Sequence, residues 1–161
     1  MVQVRAARRD DAQEMSVILA DILESWGSDR PRSPGHVLSH YIAHPDLVKC
    51  SVAVGEDGEI LGFQSLLKMQ ADNPYDVPAG WGVIGTYVAA KAARQGVGRK
   101  LFSSSLDAAI AAGLRDIDAT IGGANDLALA YYGAMGFRTY RTKPGAVCKS
   151  FSVEPKGVLA V

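Results

Sequence analysis

A strand-like run at residues 81–90, WGVIGTYVAA, leads through a turn holding Gly96 and Gly98 straight into an amphipathic pattern, VGRKLFSSSLDAAIAAG, at residues 97–113. Glycine inside a helix costs up to ~1 kcal/mol relative to alanine, so two of them at a helix start point to a purpose besides folding. A strand that turns on glycine into a helix presents unpaired backbone N–H groups at the positive end of the helix dipole, which together form an anion site. A side chain at the turn would hold a pyrophosphate away from those donors. Lys91, Arg94, Arg99 and Lys100 cluster around the turn and add charge at its rim. The stretch lacks the Gly-Lys-Ser/Thr ending of a P-loop. It also lacks the third glycine of a dinucleotide fingerprint, because Leu101 stands where that glycine belongs.

The remaining periodicities fill in a mixed fold. VQVRAA alternates like a strand, and Asp10 or Asp11 is placed to cap a helix over AQEMSVILADILESW, where Met15, Ile18, Leu19 and Ile22 share a face. HVLSHYIAH reads as a short second helix ending near Pro45. VKCSVAV and EILGFQSLLKM flank the turn signal GEDG and predict a hairpin. In the long helix after the glycine turn, Val97, Leu101, Leu106 and Ile110 are expected to face the core, and Gly113 to end it. LRDIDATIG is a further strand, NDLALAYYGAM a short helix capped by Asn125, and FRTYRT and AVCKSFSV close the sheet. One α/β (α+β) domain built on a single sheet is expected over residues 1–161.

Composition narrows the function. Seventeen basic residues balance seventeen acidic ones, so the chain carries no global field for nucleic acid or an anionic membrane, and any anion site is local. No apolar run approaches the ~18 residues of a membrane span, and no export signal opens the chain, which makes the cytoplasm the expected location. Cys50 and Cys148 belong to no CxxC pair, so neither a disulfide nor zinc is expected. His36, His40 and His44 recur every four residues without an acidic or cysteine partner at ligand spacing, so they read as a helix face and not as a metal site.

A second motif, NDLALAYYGAMGF at residues 125–137, joins the first. Together with YVAAKAARQGVGRKL it resembles the GNAT superfamily of acyl-CoA-dependent N-acetyltransferases. The family pattern Asn-x-x-Ala-x-x-x-Tyr-x-x-x-Gly-Phe is met by Asn125, Ala128, Tyr132, Gly136 and Phe137. The glycine-turn pattern is met at Val88, Gly96 and Gly98, while Ala90 replaces the usual proline and Ala93 the usual Gln or Arg.

The resemblance implies a mixed, mostly antiparallel central sheet flanked by helices, with a splayed strand pair holding acetyl-CoA as cosubstrate. The backbone of residues Arg94, Gln95, Gly96, Val97, Gly98 and Arg99 would cradle the pyrophosphate, with Arg94 or Arg99 compensating for Ala93. The pantetheine arm would run beside Tyr87 and Val88, with Asn125 bonding near it. Tyr132 would act as general acid at the thioester sulfur, since a phenol of pKa ~10 stays protonated at neutral pH. Its neighbour Tyr131 competes for that role, because only one of the adjacent pair can face the cofactor. A backbone N–H near Val88 would polarise the thioester carbonyl.

No carboxylate lies on the central strand, and among Glu24, Asp72 and Asp76 none is singled out as a base. Trp26, Tyr41, Tyr75 and Trp81 are candidates for either the core or the acceptor pocket. Three readings stay open: acetyl transfer to a small amine such as an amino acid or an amine-bearing antimicrobial, acetylation of a protein N-terminus or lysine, and acyl-CoA sensing without turnover. The apolar C-terminal segments AVCKSFSV and GVLAV would suit a homodimer.

Overall fold

The computed structural model describes residues 1–153. Strand β1 (Gln3–Ala6) leads to helix α1 (Ala12–Ser25) and then to α2 (Pro34–Val37), which continues as one wider π-helical turn over Leu38–Ile42. Strands β2 (Leu47–Val54), β3 (Ile60–Lys68) and β4 (Gly82–Val88) follow. After the glycine turn come α3 (Val97–Ala111), β5 (Asp116–Gly122), α4 (Asp126–Met135), β6 (Arg138–Lys143) and β7 (Ala146–Ser152). The strands form one seven-stranded sheet in the order β1-β2-β3-β4-β5-β7-β6. It is the mixed, mostly antiparallel sheet flanked by helices that the sequence implied.

One junction departs from the antiparallel rule. β4 and β5 run parallel and pair only at Gly82↔Ile117 and Val83↔Asp118, after which they diverge. The β3–β4 register fixes what β4 presents to that gap. Ala89 N–H donates to Leu61 C=O, so Tyr87–Phe63 and Gly85–Ser65 are hydrogen-bonded pairs, whereas Thr86–Gln64 and Val88–Gly62 are not. The peptide groups of Thr86 and Val88 therefore point at the gap, and those of Tyr87 point at β3.

The two faces of the sheet are covered differently. α1 and α2 pack on Cys50, Val52, Phe63 and Tyr87, with Met15, Leu19 and Leu23 fully buried beneath α1. α3 and α4 cover Leu66, Ile84, Ile117, Ala119 and Ile121. The buried stripe of α3 is Val97, Leu101, Phe102, Ser105 and Ala109, while Ile110 is exposed. The expected face was thus out of phase by its last turn, because the buried stripe advances by fours from Val97 through Leu101 and Ser105 to Ala109, and at about 100° per residue Ile110 falls well round the helix from it. Asp11 occupies the position before α1, yet it caps nothing there. Its carboxylate accepts from Arg8 N–H at 2.7 Å and from the Arg5 guanidinium at 2.8 and 3.0 Å, and the Arg5 bond above all holds its pKa below the usual carboxylate range.

AVCKSFSV forms β7, which lies between β5 and β6 and so has no free edge for a second copy. GVLAV lies outside the described residues. Cys50 and Cys148 are free and buried. Among the described residues no helix is long and apolar enough to cross a membrane.

Candidate active site

The glycine turn takes its shape from two left-handed residues, Arg94 at φ 66° and Gly96 at φ 75°. Gly96 is the cap residue of α3 and supplies no side-chain bond, and Lys100 N–H is the first to reach back into the helix, to Gly96 C=O at 3.1 Å. The N–H groups of Val97, Gly98 and Arg99 thus carry no backbone partner, as at any helix start, and they follow directly on the exposed turn residues Arg94, Gln95 and Gly96. Nothing lies within 4 Å of where a Gly96 side chain would stand, so glycine serves the left-handed conformation and leaves the approach clear. Gln95 folds back, its amide donating to Lys91 C=O at 3.3 Å. Arg94 and Arg99 are exposed at the rim. These donors, cations and the bare glycine suit a pyrophosphate.

Gly98 has a different reason to be glycine. A Cβ there would meet Tyr131 Cε1 at 2.6 Å, so this residue makes room for an aromatic ring and not for a ligand. Tyr131 donates its hydroxyl proton to Gly98 C=O at 2.7 Å. From that bond a continuous chain crosses the sheet. The fully buried Gln64 gives one amide proton to Tyr131 Oη at 3.0 Å and the other to Thr86 Oγ1 at 2.9 Å. Thr86 Oγ1 lies 2.8 Å from Tyr132 Oη. Because Gln64 donates to Thr86, the Thr86 proton is free to point at Tyr132, and the Tyr132 proton is left to point elsewhere. Burial pushes the Tyr131 phenol up to about 12, and burial likewise drives Tyr132 well above the ordinary tyrosine range. Both phenols stay protonated at neutral pH.

The adjacent tyrosines are thereby told apart. Tyr131 is bound to the glycine turn, while Tyr132 lies buried beside Thr86, whose peptide groups face the β4–β5 gap. Asn125 opens α4, its side-chain carbonyl accepting from Ala128 N–H at 3.1 Å, which leaves only its amide N–H groups for a ligand. Asn125→Ala is expected to cost about 1 kcal/mol of stability through the lost cap, read by urea denaturation. Tyr87 projects to the opposite face from Tyr132, over Gly85, and its hydroxyl accepts from Arg30 at 3.1 Å.

Gln64, Thr86 and Arg30 escaped the sequence reading. A lone glutamine inside the apolar run ILGFQSLL was the available signal for the first; the other two carried none. Asp118 was also missed: it is fully buried and accepts from Thr120 at 2.8 Å and from Tyr140 at 2.6 Å, tying β5 to β6 across β7. Of the carboxylates considered before, Asp76 is exposed and paired with Arg141. His36 and His40 stack at 4.9 Å on the helical segment, but the helix ends at Ile42, and His44 lies beyond it with Nδ1 accepting from Asp46 N–H, so the expected helix face holds two of the three histidines. Among the described residues no group of three or more His, Cys, Asp or Glu could hold a metal ion.

A family model for the acetyltransferase (GNAT) family matches residues 15–137. The chain belongs to the GNAT family. Its GNAT fold is shared with solved structures: a GCN5-related N-acetyltransferase from Kribbella flavida at TM-score 0.79 and 24% identity, covering 94% of this chain and 97% of that one. YncA from Salmonella typhimurium, solved with its cofactor acetyl-CoA, superposes at TM-score 0.78 with 20% identity over 99% of each chain. A ribosomal-protein-alanine N-acetyltransferase from Brucella melitensis matches at TM-score 0.73 and 18% identity, covering 93% and 99%. No curated protein sequence matches this GNAT chain. As a GNAT enzyme it is an acetyl-CoA-dependent N-acetyltransferase, and acetyl-CoA is its cosubstrate.

Proposed function

We propose that this enzyme acetylates the amine of a small molecule by direct attack within a ternary complex, in the cytoplasm. The observation that carries the reading is the hydrogen-bonded chain from Gly98 at the glycine turn through Tyr131, Gln64 and Thr86 to Tyr132. It ties the turn suited to a pyrophosphate to a protonated phenol beside the gap, and a module that only held acyl-CoA would have little use for the phenol. The two free, buried cysteines support a reducing compartment.

Acetyl-CoA supplies the acetyl group as a thioester, and its transfer to an amine makes an amide and releases a thiol. The residues divide the remaining work. The N–H groups of Val97, Gly98 and Arg99, with Arg94 and Arg99 at the rim, bind the pyrophosphate. Thr86 and Val88 offer peptide groups to an extended arm as a neighbouring strand would, and the Val88 N–H is placed to polarise a carbonyl. Asn125 offers its amide protons nearby. Tyr132, oriented by Thr86, gives its proton to the departing sulfur as the C–S bond breaks, and the proton that the amine loses on forming the C–N bond restores the phenol.

Calorimetric titration of the protein with acetyl-CoA, followed by assay of thiol release over a panel of amines, tests this reading. S-acetylpantetheine, which lacks the pyrophosphate, is expected to bind at least about tenfold more weakly, since charge-assisted bonds dominate at the turn. Equal binding of the two would remove the turn from the site. Acetyl-CoA binding without thiol release from any amine would make the protein a sensor.

A further inference from the structure

The face of β4 opposite Tyr132 holds a cation without a counter-ion. Arg30, in the loop between α1 and α2, reaches across to β4 and donates to Tyr87 Oη at 3.1 Å. Tyr87 Oη lies 3.4 Å from Tyr41 Oη, and only 3.7 Å from where a Gly85 side chain would begin. Gly85 immediately precedes Thr86, so the Arg30 guanidinium stands close over the point where β4 and β5 part. Helices cover both faces of the sheet, but on this one residues 29–31 of the loop between α1 and α2 are exposed, and that loop is the approach left to a small acceptor.

Arg30 is itself exposed, and the side chains of the face beneath it that its charge acts on are neutral. Its charge acts on Tyr41, Tyr75, His36 and His40. Burial keeps both imidazoles below their usual range, and the two tyrosines above theirs, so none of the four is ionised at neutral pH. Among the described residues no salt bridge includes Arg30; the pairs are Met1–Glu56, Arg5–Asp11 and Arg141–Asp76. The loop that carries it is held by Arg32, which donates from Nε to Arg30 C=O at 3.2 Å and from its other end to Ser28 C=O. On the floor beneath, Ser65 lies across from Gly85 and keeps a buried hydroxyl with no partner.

We infer that the acceptor is an amine that also carries a carboxylate, an amino acid in the broad sense, and that Arg30 binds that carboxylate while the amine reaches the β4–β5 gap. The inference rests on the acetyltransferase reading above and narrows it. A planar guanidinium with one donor spent on Tyr87 keeps a fork free for two carboxylate oxygens, and neutral phenols and imidazoles around it leave the anion without competition. A plain alkylamine or a lysine in a protein chain offers Arg30 nothing.

The experiment pairs each L-amino acid with its carboxamide and measures thiol release from acetyl-CoA by the wild type, Arg30→Gln and Arg30→Lys. The wild type is expected to favour the acid by at least about tenfold in kcat/KM, mostly through KM, as a charge-assisted pair in a part-buried site warrants. Arg30→Gln is expected to reduce that ratio to near one, and Arg30→Lys to restore part of it. A wild type that uses carboxamides as well as acids overturns the inference and leaves the acetyltransferase intact. So does a preference that survives Arg30→Gln. If no amine is turned over, the activity reading itself falls. Calorimetric titration of the CoA-saturated protein with the same amino acids then decides the anion site: binding lost in Arg30→Gln sustains it, and no binding overturns it.

Discussion

Tyr132→Phe is expected to lower kcat about 10²–10⁴-fold, the usual contribution of a positioned general acid, with little change in the KM for acetyl-CoA. The substitution is a clean one. The ring keeps its edge contacts with Tyr131 at 4.9 Å and Phe137 at 5.1 Å, so the packing against β5 survives. What disappears is the hydroxyl and its 2.8 Å bond to Thr86, whose Oγ1 keeps the bond it accepts from Gln64. Because burial raises the Tyr132 phenol far above neutrality, the wild type should show no fall in kcat from loss of this proton as pH rises through 7 to 9. Steady-state kinetics with a saturating acceptor gives the answer. A kcat within threefold of wild type would move the proton donor elsewhere.

Gly98→Ala is expected to destabilise the protein by about 1–3 kcal/mol, the usual cost of forcing atoms into a filled space. The new methyl would fall 2.6 Å from a ring carbon of Tyr131, and that ring cannot retreat without giving up its bonds to Gly98 C=O and Gln64. The damage is therefore expected to reach Thr86 and Tyr132 and to lower kcat as well. Gly96→Ala is the control: its cost is the left-handed backbone, about 1–2 kcal/mol, in open space. Pairing Gly98→Ala with Tyr131→Leu, a side chain free to move aside, should return part of the lost stability and show strong non-additivity in urea denaturation. Additive behaviour would mean that Gly98 and Tyr131 do not compete for the same volume.

Local signals carried most of the architecture. The hairpin at Gly55–Gly58, the left-handed stop at Gly113 and the Asn125 cap all depend on residues within a few positions of one another, and periodicity reads those directly. The site was legible to the same extent. Gly96 and Tyr132 lie in motifs, but the partner that dictates Gly98 is 33 residues away, and the residues linking the two tyrosines come from β3 and β4. β3 is covered on both faces, so its pattern has no polar–apolar alternation to reveal that Gln64 and Ser65 face opposite sides. Arg30 lies in a loop whose sequence, SDRPRSPG, looks like any solvated connection until the chain folds it over Tyr87. Asp118 looks like one more surface acid in LRDIDATIG, because the tyrosine that covers it arrives from β6.

The two-pair contact between β4 and β5 also governs the mechanics of the molecule. Four strands on one side and three on the other behave as separate rafts, coupled by a seam at Gly82–Val83 and by helices laid across it. Such a joint has low torsional stiffness, so a small roll of one raft changes the width of the gap without breaking a ladder. Val83 and Asp118 are the last pair of that seam, and β4 runs on from there to Val88 without a partner on this side. Tyr132 rides on the far raft and Thr86 on the near one. Their single hydroxyl contact spans the two rafts, so the direction of that bond is tied to the angle between them.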